Sequence, residues 1–201
     1  MSSRFIIDPK RASLANTAIV LLYAGAKREK CAALHKYNGN YLINHNINVI
    51  QKRDPSAEII VVLGYEVDDV IFAITQKVRV VCNEHYNTTG PARSALLGIR
   101  ATTKDNVHIV YGDVIMNDKY FSRESSHVVV NNECKTDVGI IADHNHVGHF
   151  AYGVEQKWGQ SILLRGADVR KFVSNYGNGL LMHEILNVAI DDGLRLEMVT
   201  L

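Results

Sequence analysis

Four stretches in the first half of the chain share one pattern: a short, unbroken apolar run that stops at a glycine or an asparagine. They are residues 17–25 (TAIVLLYAG), 58–65 (EIIVVLGY), 78–86 (VRVVCNEHY) and 106–112 (NVHIVYG). Runs this short and without polar alternation predict strands covered on both faces, as in a parallel sheet. Between them the apolar positions take helical spacing. In residues 41–53, Leu42, Ile43, Ile47 and Ile50 share one helix face, and Asp54-Pro55 stops it. Residues 66–76 and 90–103 predict two more helices, the second with Pro91 in its first turn. The order β-α-β-α-β-α-β predicts a doubly wound α/β fold.

The second half is less regular. Residues 127–132, 137–144, 150–158 and 159–166 predict strands of mixed direction. Residues 167–176 and 180–193 predict two helices. No repeat, low-complexity segment or linker interrupts the chain. The expected organisation is an N-terminal arm over 1–16 and one domain over 17–201, with a nucleotide-binding half to about residue 120 and an acceptor-binding half after it.

Composition narrows the function. Lysine plus arginine number 22 and aspartate plus glutamate 21, a net charge of +1 that argues against a nucleic-acid-binding face. Cys31, Cys82 and Cys134 have no paired spacing and read as reduced thiols. The first 16 residues lack a long apolar core, and no apolar run reaches membrane-spanning length. These features predict a cytoplasmic protein with no membrane partner.

In open α/β sheets ligands bind beyond the carboxyl ends of the strands, where the chain connections reverse. Gly25, Gly64, Asn83 and Gly112-Asp113 fall at such ends. On position alone, Asp113 reads equally as a ligand for a divalent cation holding phosphate oxygens or as an ordinary Gly-Asp turn.

The motifs AIVLLYAGAKREK, YNGNYLINHNI, IIVVLGYEVDDV, CNEHYNTTGPARSALLGI and IVYGDVIM occur in that order. Together they resemble the nucleotidyltransferase family that includes sugar-1-phosphate nucleotidylyltransferases, phosphocholine cytidylyltransferases and molybdenum-cofactor guanylyltransferases. The resemblance covers residues 17–116 and, more weakly, the chain to 192. It implies a Rossmann-like doubly wound mixed sheet of the nucleotide-diphospho-sugar transferase type. It implies a magnesium-dependent transfer of a nucleoside monophosphate from a nucleoside triphosphate to a phosphorylated small molecule. The matched positions are Tyr23, Ala24, Gly25 and Ala26 for the turn that cradles base and phosphates, and Thr89, Gly90, Arg93 and Ser94 for the base. Gly112 and Asp113 match the strand end whose aspartate binds Mg2+. Lys27, Arg28 and Lys30 supply positive charge for the triphosphate, although each also reads as part of a solvated basic loop. Gly39 and His45 match a helix start, with His45 in a structural role.

Asp143, His144 and His146, with His149 beside them, read either as a transition-metal site or as histidines in loop hydrogen bonds. In the resembling family this region faces the acceptor, so Asp143, His144, His146 and Glu184 are taken as acceptor contacts. Glu184 also fits an ordinary amphipathic helix. Trp158 reads as a core anchor. Cys31, in the basic loop, has a lowered pKa as one option. Two departures stand out. Ala32 occupies the position of the family's usual lysine. The chain also reaches Leu201 before a second acidic metal ligand appears, which predicts weak catalysis. Two other functions compete. A nucleotide-sugar glycosyltransferase would want Asp-x-Asp where the chain has Asp113-Val114-Ile115. A non-catalytic nucleotide-binding or assembly protein is favoured by Ala32.

Overall fold

The computed structural model describes residues 14–27, 30–121, 124–177 and 181–201, with only the backbone described at Lys27. Strand β1 (Thr17–Tyr23) is buried at every position. Its side chains alternate between two cores. Ala18, Val20 and Leu22 face one; Ile19, Leu21 and Tyr23 face the other. This double cover is why the run shows no polar alternation.

Two short strand pairs follow β1 within the basic stretch. Strands β2 (Ala26–Lys27) and β3 (Lys30–Cys31) pair, as do β4 (Lys36–Tyr37) and β5 (Asn40–Tyr41). The second hairpin turns on Asn38 and Gly39, both at positive φ (48° and 79°). An Asn-Gly pair accepts that geometry at little cost.

Helix α1 (Leu42–Arg53) packs Ile43, Ile47 and Ile50 onto one side of the sheet. Strand β6 (Glu58–Leu63), helix α2 (Val67–Ala73) and strand β7 (Arg79–Cys82) come next. Helix α3 (Pro91–Arg100) covers the opposite side. It lies so close that a Cβ on Gly98 would meet Val20 Cγ1 at 2.3 Å. Strand β8 (Asn106–Tyr111) ends the half that the hydrophobic pattern predicts.

The remaining elements are β9 (His127–Val130), β10 (Val138–Asp143), β11 (His146–Tyr152), β12 (Trp158–Arg165), α4 (Ala167–Asn175), α5 (Met182–Asp191) and β13 (Glu197–Thr200). The nine long strands form one sheet in the order β10-β11-β13-β9-β12-β8-β1-β6-β7. β8, β1, β6 and β7 are mutually parallel. β12 runs antiparallel to both β8 and β9. The mixed α/β fold agrees with the expectation.

Two details differ. Residues 150–158 are not one strand: β11 ends at Tyr152, Gly153 turns at φ 72°, and β12 begins at Trp158. β13 had no sequence signal, since its two apolar residues, Met198 and Val199, stand between Glu197 and Thr200. Among the described residues no helix is long and apolar enough to cross a membrane.

Candidate active site

From β1 the chain moves outward to β6 and β7, then returns to place β8 on the other side of β1. The carboxyl ends of β1 and β8 therefore flank the point where the connections reverse, the expected ligand crevice. A cavity of about 240 Å³ lies there.

Its floor is set by close packing. A Cβ on Gly112 would meet the Leu22 carbonyl oxygen at 2.4 Å and the Tyr23 ring at 2.5 Å, so only glycine lets β8 turn against β1. The Val114 N–H closes the turn onto the Tyr111 carbonyl at 3.2 Å. Helix α1 then pins the segment from Val114 to Met116. Asn46 is fully buried and donates to the Tyr23 hydroxyl (3.0 Å) and the Val114 carbonyl (2.8 Å), and it accepts from the Met116 N–H (3.0 Å). His45 Nε2 lies 3.1 Å from the Met116 carbonyl, the structural role expected of it. Asp113 is thus half-buried on a turn fixed at both ends. Burial, with a smaller contribution from the Asp113 charge, pushes the Tyr111 hydroxyl up and keeps it protonated; burial does the same at Tyr23.

Gly25 forms the opposite lip. Beyond its chain neighbours, a Cβ there would meet no atom of the described residues within 4 Å. The Ala24 carbonyl accepts from the Tyr65 N–H at 2.9 Å, tying the loop to the end of β6. Farther on, Glu66 accepts from the Cys31 N–H at 2.7 Å. The third wall is the start of α3. Asn83 directly follows β7, is buried, and donates to Thr89 Oγ1 (3.0 Å) and Ser94 Oγ (3.1 Å). One amide therefore positions two hydroxyls at a helix N-terminus, a place suited to anions.

Tyr23, Ala24, Gly25, Ala26, Thr89, Gly90, Ser94, Gly112 and Asp113 all line this cavity, together with Tyr86, Pro91 and Tyr111, which the sequence pattern did not single out. Arg93 is not in its wall; its N–H donates to the Gly90 carbonyl. Lys30 lines a separate hollow with Glu66, Asp69 and Phe72. The Lys27 side chain and Arg28 lie outside the described residues. Ala32 lines the cavity where the family's lysine was expected.

Asp113 also lines a second cavity, of about 410 Å³, on the β9 and β12 side. Asn117, Tyr120, Asn131, Glu133, Lys135 and Gln160 surround it. None of these carried a signal in the sequence. The structure does not bring Asp143, His144, His146 and Glu184 to either cavity. Asp143 pairs with His146 across the β10–β11 hairpin, and His144 Nδ1 lies 2.9 Å from Asp143 Oδ1 in the exposed turn. Glu184 accepts from the Leu181 N–H at 2.9 Å and so caps α5. His149 meets Asn187 at 2.9 Å. Among the described residues no three His, Cys, Asp or Glu side chains group as a metal centre. Trp158 is a core residue, edge-on to Tyr111 and Phe150. Burial pushes the Cys31 thiol up, opposite to the reactive option, and its Sγ donates to the Tyr23 carbonyl.

No family model matches the sequence, and no curated protein matches it. Solved structures do match. The inositol-1-phosphate CTP transferase from T. maritima superposes with a TM-score of 0.74 at 13% identity, covering 94% of this chain and 86% of that one. The CTP:phosphocholine cytidylyltransferase from Streptococcus pneumoniae gives 0.68 at 16%, covering 92% and 90%. A nucleotidyl transferase from Methanothermobacter thermautotroptrophicus gives 0.65 at 18%, covering 92% and 86%. Identities this low speak to architecture alone, and on that ground the chain has the nucleotidyltransferase fold.

Proposed function

We propose that the chain is a nucleotidyltransferase that joins a nucleoside monophosphate, taken from a nucleoside triphosphate, to a phosphorylated small molecule. The observation that carries this reading is Asp113, which stands in the shared wall of two cavities. The triphosphate occupies the first cavity and the acceptor phosphate the second. An acceptor oxygen forms a bond to the α-phosphorus, the bond from that phosphorus to the bridging oxygen breaks, and pyrophosphate leaves with the electron pair. The acceptor is already anionic, so no strong general base is needed.

The donor set fits magnesium, which is held by one or two carboxylates together with substrate phosphates. Asp113 would hold it, and the ion supplies charge neutralisation between the two phosphates. The chain's own residues supply alignment. Gly25 admits the triphosphate to the backbone, the Thr89 and Ser94 hydroxyls stand at the α3 start, and the Asn46-pinned turn fixes the backbone that carries Asp113. Lys27 and Arg28, which directly follow Ala26, supply charge to the departing pyrophosphate.

One observation favours a second reading, a nucleotide-binding protein without turnover. Among the described side chains of the first cavity there is no lysine or arginine. Pyrophosphate release, measured with each common triphosphate, magnesium and a panel of phosphorylated acceptors, separates the two. Turnover supports the transferase. Saturable triphosphate binding with no release under any combination supports the second reading and overturns the first.

A further inference from the structure

We infer that the second cavity takes a hydroxyl-rich phosphate, of the sugar or cyclitol monophosphate class, and rejects a phosphorylated quaternary amine; the inference rests on the transferase reading. With the acceptor phosphate at Asp113, its body lies against Asn117, Tyr120, Asn131, Glu133, Lys135 and Gln160.

The hydrogen-bonding state of this wall selects oxygen-bearing ligands. The Asn117 side-chain oxygen accepts from the Lys119 N–H at 2.9 Å, and that of Asn131 accepts from the Glu133 N–H at 3.0 Å. The Gln160 oxygen takes the Cys134 thiol at 3.5 Å. Each of those oxygens already has a protein donor, and the N–H2 groups of Asn117 and Gln160 are the donors this wall can offer; they pair with hydroxyl and phosphate oxygens and have no partner on a trimethylammonium. Quaternary ammonium recognition relies on aromatic faces. Among the described residues of this wall the single aromatic is Tyr120, 2% exposed and therefore turned into the core. Asp113 is committed to the acceptor phosphate; against the body of the acceptor, Glu133 offers one carboxylate and Lys135 one ammonium, so that part of the wall carries no net side-chain charge that would select a cation.

The backbone at Gln160 is shaped for the purpose. β12 slips register against β9 between Trp158 and Ile162, and Gln160 sits at φ 55°. A side chain at Gly159 would meet Val129 at 2.9 Å, so the irregularity is built around glycine. Bulges of this kind re-aim a side chain beside a site, and a non-glycine residue at positive φ is strain that persists where a role requires it. Gln160 is therefore a specificity-determining residue.

The test uses the intact chain with magnesium and the four common triphosphates. myo-Inositol 1-phosphate, glucose 1-phosphate and phosphocholine are compared as acceptors by pyrophosphate release. At least one hydroxyl-rich phosphate should exceed phosphocholine in kcat/KM by about tenfold, roughly the worth of one or two hydrogen bonds. Gln160→Leu should raise the KM of that acceptor more than the KM of phosphocholine and so narrow the difference between them. Gln160→Gly relaxes the backbone, so it should melt no lower than the parent and still lose the preference. A phosphocholine preference overturns the inference while the transferase reading stands. If no combination releases pyrophosphate, the transferase reading fails and calorimetric titration of the same phosphates decides the inference. Inositol 1-phosphate binding that is weakened in Gln160→Gly supports it; no binding, or binding equal to phosphocholine, overturns it.

Discussion

The Tyr111 hydroxyl is held protonated by burial first and by the Asp113 charge second. Asp113 itself is half-buried on the turn after β8, beside the buried Val114. Asp113→Asn keeps the shape and most turn hydrogen bonding but removes the charge. The variant should melt like the parent and lose magnesium-dependent turnover about a hundredfold, the scale of one lost preorganised contact. Unchanged turnover would reduce Asp113 to a turn residue. His108 gives a different expectation. It is fully buried, shares a 2.7 Å hydrogen bond with Ser161, and burial pushes its pKa down to about 3 from 6.5. Between those values the unfolded chain takes up a proton that the folded chain refuses. Stability should thus fall as pH drops below 6.5, by up to about 1.4 kcal/mol per pH unit, and level off near pH 3 as far as this group is concerned. Denaturant melts over pH 4–7 should show this slope, and His108→Gln, which keeps an amide near Ser161, should flatten it.

At the scale of elements, the turns after β1 and β8 carry the proposed site, and their glycines do opposite things. A Cβ on Gly112 would run into protein, whereas one on Gly25 would meet no atom of the described residues within 4 Å beyond its chain neighbours. Gly112→Ala should cost about 1–3 kcal/mol by overpacking, whatever ligand is present. Gly25→Ala should leave the melting temperature of the free protein alone and weaken triphosphate binding, read as a smaller ligand-induced shift. A destabilised Gly25→Ala would remove the case for that lip. Part of this was legible in the chain. An apolar run ending in Gly-Asp marks a strand end, and Thr-Thr-Gly-Pro marks a helix start. Asn46 and Asn83 were not legible as organisers, because a buried asparagine in a helix and one after a strand look polar and ordinary until their partners are known. Gln160 escaped for a related reason: a strand pattern carries no sign of a bulge.

Across the whole molecule, the double-sided burial of β1, β6 and β8 wrote itself into unbroken apolar runs, so the parallel half and its order were readable. The other half was not, since β9, β12 and β13 interleave from distant parts of the chain and their neighbours cannot be inferred from spacing. The histidine-rich hairpin drew attention for its composition alone, yet its side chains bond to each other and to α5. Because the first cavity lies between parts of the sheet and α3, a triphosphate filling it should stabilise the fold as a unit. At a ligand concentration of 100 times the dissociation constant the gain is about 2.7 kcal/mol. Thermal melts with each triphosphate and magnesium at millimolar levels should show it for at least one base, and a flat response to all four would count against the proposed nucleotide site.

A single carboxylate common to two cavities also constrains how their ligands influence one another. Without a divalent ion, a second phosphate arriving at Asp113 meets two negative groups, so each ligand should weaken the other. With the ion present, the first phosphate helps to assemble the second one's binding surface, and the influence should become mutual reinforcement. Linkage requires the factor to be equal in both directions. The sign of cooperativity between donor and acceptor is then set by free magnesium, which would make the ion a switch between antagonism and synergy.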